Sequence, residues 1–176
     1  MRERASIAIT PTEEDVRIAY LAALAVAIHV AESVIPSPLP GVKPGLANIV
    51  VVVVLTLYGL RAAAWVAVLR VLAGGLIAGS LLAPTFFMSA GGTAAALAGL
   101  AAGRAIPGLG PVGFSVLASV CHILGQFFVA WALFVPHPSL WTLLPLLLTG
   151  ALILGGANGI LAAGISRHLT RPGAPP

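Results

Sequence analysis

A short set of residues carries most of the chemistry this chain can offer: His29, Glu32, Lys43, Asn48, Arg70, His122, Gln126 and Asn158. His29 and Glu32 stand three apart, and His122 and Gln126 four apart, so each pair shares one face of a helix. Lys43 and Arg70 are suited to an anionic group. Glu32 and His122 would orient a ligand, and Asn48 and Gln126 would donate or accept hydrogen bonds to it. Two other readings stand beside this one. Arg70 and Glu32 form a structural ion pair while His122 and Gln126 only bond between helices, or His29, Glu32 and His122 pass protons. Asn158, followed by Gly159, reads as a packing or kink feature. Cys121 is the only cysteine and lies among apolar residues, where a thiol acts as a small hydrophobe.

Familiar catalytic arrangements are missing from the sequence. No glycine-rich loop ends in Lys-Ser or Lys-Thr, so the chain is not expected to energise anything with ATP by itself. No His-Glu-x-x-His run is present, and no metal or other cofactor is expected. The only aspartate is Asp15, and Glu32 is the only acid inside an apolar run. A paired-carboxylate mechanism needs two acids in one pocket. The chain is therefore expected not to be an enzyme.

The elements that must position these residues are membrane helices. Of 176 residues, 59% are hydrophobic and 8% charged, against roughly 25% charged in a soluble domain. A hydrocarbon core of about 30 Å takes about 20 helical residues to cross. Six apolar runs meet or approach that length: 17–34, 46–60, 62–83, 86–103, 112–135 and 141–165, the last kinked or delayed at Pro145. The second run is short and rich in valine. A lone strand leaves its backbone unsatisfied in lipid, so this run reads as a helix. Residues 36–45 hold four prolines and two glycines and form a loop. Pro84, Pro107-Gly108-Leu109-Gly110-Pro111 and Pro136-His137-Pro138 mark further breaks. The fold class expected is all-α, a polytopic membrane protein of six transmembrane helices. Residues 1–16 form an N-terminal segment, 17–166 the membrane domain and 167–176 a polar tail. The acidic residues Glu13, Glu14 and Asp15 argue against a cleaved signal, so the first run is expected to remain.

Six crossings put both termini on one side. Arg2, Arg4, Arg17, Arg61, Arg104, Arg167 and Arg171 then share that side, and Lys43 stands alone on the other. By the positive-inside rule both termini are cytoplasmic, with the protein in the plasma membrane. The net charge of +4 reflects this topology, and nucleic acid is not an expected partner. Counting 1.5 Å per residue, Arg70 lies roughly 13 Å beyond Arg61, near the midplane. His122 lies near the middle of its run and Glu32 near the outer end of the first. Small residues recur at four-residue spacing: Ala19, Ala23, Ala27; Gly91, Ala95, Gly99, Gly103; Gly155, Gly159, Ala163. Such stripes let helices pack closely inside a bundle or dock on a partner.

The stretch Glu32-Ser33-Val34-Ile35-Pro36-Ser37-Pro38-Leu39-Pro40-Gly41-Val42-Lys43-Pro44-Gly45-Leu46-Ala47-Asn48 resembles the bacterial Gx transporter family, also labelled heptaprenyl diphosphate synthase component I. Leu69-Arg70-Val71-Leu72 and His122-Ile123-Leu124-Gly125-Gln126 resemble its shorter motifs. The similarity spans roughly 17–165. It implies a six-helix bundle similar to the substrate-binding S components of energy-coupling factor transporters. In those, ligand sits near the outer side, partly under the first loop, and small residues of the first helix touch a transmembrane coupling subunit. Ala19, Ala23 and Ala27 match that docking pattern. Glu32, Lys43, Asn48, Arg70, His122 and Gln126 match the motifs and are also the costly polar residues. Partners implied are a small-molecule ligand, membrane lipid, and an energising transmembrane or ATPase subunit. A flavin, quinone precursor or isoprenoid phosphate would suit the ligand site. The alternative is a non-catalytic scaffold for an isoprenoid, quinone or redox enzyme. A proton-coupled carrier is a third possibility. Prenyl transfer itself needs aspartate-rich motifs, which one aspartate cannot supply.

Overall fold

The computed structural model describes residues 11–34 and 45–170. Lys43, most of the proline-rich loop and Arg171 onward lie outside the described residues. Five α-helices follow one another: α1 (Glu13–Val34), α2 (Leu46–Ile77), α3 (Pro84–Gly103), α4 (Pro111–Val129) and α5 (Leu144–Leu169). A π turn, Ala130–Phe134, extends α4, and a 3₁₀ turn, Pro138–Leu143, leads into α5. No strand occurs among the described residues.

The second and third apolar runs together make up α2, which is broken at Gly59 (φ 84°, ψ 179°). A straight helix would hold Asn48 and Arg70 about 33 Å apart. Their side chains are hydrogen-bonded at 2.8 Å. The chain therefore folds back at Gly59, and residues 46–58 lie antiparallel to 60–77. Only glycine adopts that backbone angle without strain. α1 packs beside α2, with the Arg17 guanidinium 4.9 Å from the centre of the Tyr58 ring at the Gly59 end. Thr12 and Asp15 close the first turn of α1 reciprocally: Thr12 N donates to Asp15 Oδ2 (2.9 Å) and Asp15 N to Thr12 Oγ1 (3.2 Å).

The valine run is the centre of the molecule. Val50 to Leu55 are all buried. They pack with Ile18, Ala22 and Ala25 of α1, with Ala62, Ala63, Val66 and Ala67 of α2, and with Ala162 of α5. A helix surrounded on all sides can be hydrophobic all round.

Two small-residue stripes sit at internal contacts. A Cβ on Gly125 of α4 would lie 2.5 Å from the Gly91 carbonyl oxygen of α3, and one on Gly159 of α5 would lie 2.7 Å from the Val112 Cα of α4. The third stripe, Ala19, Ala23 and Ala27, faces outward from α1. Exposed apolar side chains cover the outside, among them Trp65, Leu76, Ile153, Ile160 and Leu161. Among the described residues, four stretches are long and apolar enough to cross a membrane: Leu46–Ile77, Pro84–Gly103, Pro111–Phe134 and Pro138–Leu169. The chain is an all-helical, multi-pass membrane protein.

Several expected boundaries need correction. The third run ends at Ile77, and Pro84 begins α3 in place of stopping the run before it. Proline suits the first turn because it has no N–H to leave unbonded. Pro111 and Pro145 sit likewise in the first turns of α4 and α5. The last run is thus delayed at Pro145. α1 begins at Glu13 and α5 continues to Leu169, so both helices extend beyond the 17–34 and 141–165 runs.

Candidate functional site

A cavity of about 210 Å³ opens between the start of α2 and helices α1, α3, α4 and α5. Glu32, Asn48, Arg70, His122 and Gln126 all line it, as do His29 and Asn158. The structure thus brings together five of the six site residues expected from sequence; Lys43 lies outside the described residues.

One side is built around the first turn of α2. Gly45 starts it in the left-handed region (φ 73°), where a side chain would be strained. The N–H groups opening a helix have no partner within it. Here Glu32 of α1 supplies the partner: its carboxylate accepts from Leu46 N at 2.6 Å and Ala47 N at 3.4 Å. The negative charge also suits the positive end of the helix dipole. Asn158 Nδ2 of α5 donates to the Gly45 carbonyl at 3.3 Å. Arg70 Nη1, returning from beyond the Gly59 fold, donates to Asn48 Oδ1 at 2.8 Å. Glu32 and Arg70 remain 4% and 6% exposed. The described hydrogen bonds give these two residues different partners, Glu32 the first backbone N–H groups of α2 and Arg70 the Asn48 amide oxygen. His29 packs over Gly74, where a Cβ would fall 2.8 Å from its Cδ2.

The opposite side is formed by α3 and α4. Thr85, Ser89 and Thr93 line it from α3, and Ser119, His122 and Gln126 from α4. The four hydroxyl residues carry no signal in the sequence alone. The two helices meet closely because Gly92 has no side chain: a Cβ there would lie 2.7 Å from Gln126 Cγ and 3.0 Å from His122 Cε1. Arg70 Nε, Thr93 Oγ1 and His122 Nδ1 are buried without a hydrogen-bond partner. Buried polar groups are nearly always bonded, to protein or to something bound. Asn158 also has a larger part than packing, since it both lines the cavity and holds the start of α2.

No group of three or more His, Cys, Asp or Glu side chains among the described residues is placed to hold a metal ion. Residues 21–165 match the family described as heptaprenyl diphosphate synthase component I. No curated protein matches the chain. No solved structure matches it either.

Proposed function

The chain belongs to the heptaprenyl diphosphate synthase component I family, and from that membership and the cavity we propose that it captures or transports a small polar molecule across the plasma membrane. The observation that carries this reading is the convergence of Glu32, Asn48, Arg70, His122 and Gln126 on one cavity. Polar groups at bilayer depth are costly, and they gather where a pathway or ligand needs them. In this reading the chain crosses six times, with both termini cytoplasmic, and the cavity is reached from the outer side. Lys43 joins Arg70 in attracting the ligand. The protein is not itself an enzyme, and energy comes from a gradient or from separate transmembrane and ATPase subunits. The outward alanines Ala19, Ala23 and Ala27 are the proposed docking face for such a subunit, as in an S component of an energy-coupling factor transporter.

Arg70→Ala tests the reading. The variant should remain in the membrane as a folded protein and lose the small molecule that wild type carries through gentle purification. Wild-type levels of that molecule on the variant would sink the proposal.

One observation favours a second reading. Glu32, Asn48, Arg70 and Asn158 all take part in hydrogen bonds that tie the start of α2 to other segments. A non-catalytic scaffold for an isoprenoid, quinone or redox enzyme needs only such bonds. It predicts that Arg70→Ala and His122→Ala chiefly unfold the protein in detergent, and that an enzyme partner co-purifies in place of a ligand.

A further inference from the structure

The polar groups around the cavity divide into those holding the protein together and those facing it without a described protein partner. Glu32 binds two backbone N–H groups, and Arg70 has given one of its terminal nitrogens to Asn48. These are the cavity's two residues of the Asp, Glu, Lys and Arg types among those described, one acidic and one basic. The remaining wall, on α3 and α4, offers hydroxyl, amide and imidazole groups. Thr93 is 4% exposed and its Oγ1 has no partner. His122 Nδ1, across from it on α4, has none either.

We propose that the bound ligand presents to this cavity a compact polar group with at most one negative charge, read by the hydroxyl and amide groups of α3 and α4, and not a phosphate or diphosphate. The inference rests on the capture reading and narrows the ligand class for the same site. A phosphate monoester carries roughly −1.5 to −2 charges near neutral pH, and a diphosphate carries more. Among the described residues one partly engaged guanidinium stands against a carboxylate, and Lys43 would add a single positive charge, which still falls short of that charge. The described residues also hold no cluster to seat a bridging metal ion. A singly charged carboxylate, or a neutral ring bearing carbonyl and amide edges, meets both conditions. Size agrees: about 210 Å³ is below the roughly 300–1,000 Å³ of pockets that enclose drug-sized ligands. An apolar remainder of the ligand would have to lie outside the enclosed space.

The test is native mass spectrometry of the full chain, gently purified from its host membrane, with tandem fragmentation of any released small molecule. Wild type is compared with the double variant Ser89→Ala/Ser119→Ala, with size-exclusion and circular dichroism profiles checked against wild type. A retained molecule with no phosphate fragments, its occupancy about tenfold lower on the double variant, is the result expected. A retained phosphate or diphosphate would overturn the inference and leave the capture reading standing. Undiminished occupancy on a folded double variant would overturn the assignment to the α3–α4 wall. No molecule on wild type would remove the capture reading, and this inference with it.

Discussion

Glu32 binds the first two N–H groups of α2, and this limits what else its carboxylate can do. Removing it leaves buried donors unsatisfied. Glu32→Ala should therefore lower stability by about 1–3 kcal/mol, measured by thermal unfolding in detergent, while Glu32→Gln keeps an acceptor oxygen and should lose less. If Glu32 carried protons instead, Glu32→Gln would abolish a pH-dependent transport step and leave stability almost unchanged. Asp15 gives a pH-dependent case outside the membrane. The Thr12 hydroxyl, then the Thr12 N–H, hold its carboxyl below the usual carboxylate range. A depressed value in the folded chain means that the contribution to the α1 first turn is present above the ordinary carboxylate value and fades as pH falls through the lowered one. Thr12→Ala should move the Asp15 titration upward, as followed by its side-chain NMR shift; an unmoved titration would count against the reciprocal cap. The charged and amide site residues were legible in the sequence because each is expensive among apolar neighbours. Their partners were not, since spacing alone cannot say that Glu32 reaches Leu46 or that Arg70 meets Asn48. Thr85, Ser89, Thr93 and Ser119 were invisible for a different reason. A hydroxyl in a helix can bond the carbonyl one turn back, as Thr56 does with Val52, so its presence marks no site.

Glycines set how closely the helices approach, and they fall into two kinds. Gly125 faces the Gly91 carbonyl across the α3–α4 contact, and an added Cβ would sit 2.5 Å from that oxygen. Gly164 of α5 has nothing within 4 Å of such a Cβ. Gly125→Ala should cost about 1–3 kcal/mol through overpacking and disturb His122 and Gln126 beside it. Gly164→Ala should be neutral or slightly stabilising, because alanine is the better helix former. Equal unfolding temperatures for the two variants would contradict the close α3–α4 packing. The helical runs were readable because lipid leaves few alternatives for a long apolar segment. The valine run was the hardest case, read as a helix because a lone strand would leave its backbone unsatisfied in lipid. The helix ends were less legible. Pro84 reads equally as a stop for the run before it and a start for the run after it, and only the backbone of Gly79 and Leu82, both at positive φ, decides for the start. The turn at Gly59 left even less trace, a single glycine between Tyr58 and Leu60.

For the molecule as a whole, that turn decides the topology. If α2 reverses inside the membrane domain, the chain crosses six times and the loops after α3 and after α4 lie on opposite faces, cytoplasmic and external. If α2 crossed once, five crossings would exchange those faces and part the termini. The Asn48–Arg70 bond favours reversal, and so does charge. Under six crossings Arg17, Arg61, Arg104 and Arg167 share the cytoplasmic side, as the positive-inside rule requires. Under five, Arg104 would move to the outside. The lone Cys121 makes a direct test simple, because replacing it by serine removes the only native thiol. In that background Ser139→Cys and Ala105→Cys each place a thiol at an exposed position beside α5 or α3. A membrane-impermeant maleimide on intact cells should label the Ser139 position, and should reach the Ala105 position only after permeabilisation. With the N-terminus fixed as cytoplasmic by the same labelling at Thr12→Cys, the reverse pattern would mean that α2 crosses once. The cavity would then lose its route from the outer face, because the start of α2, which Glu32 caps, could no longer meet the Arg70 turn within the bilayer.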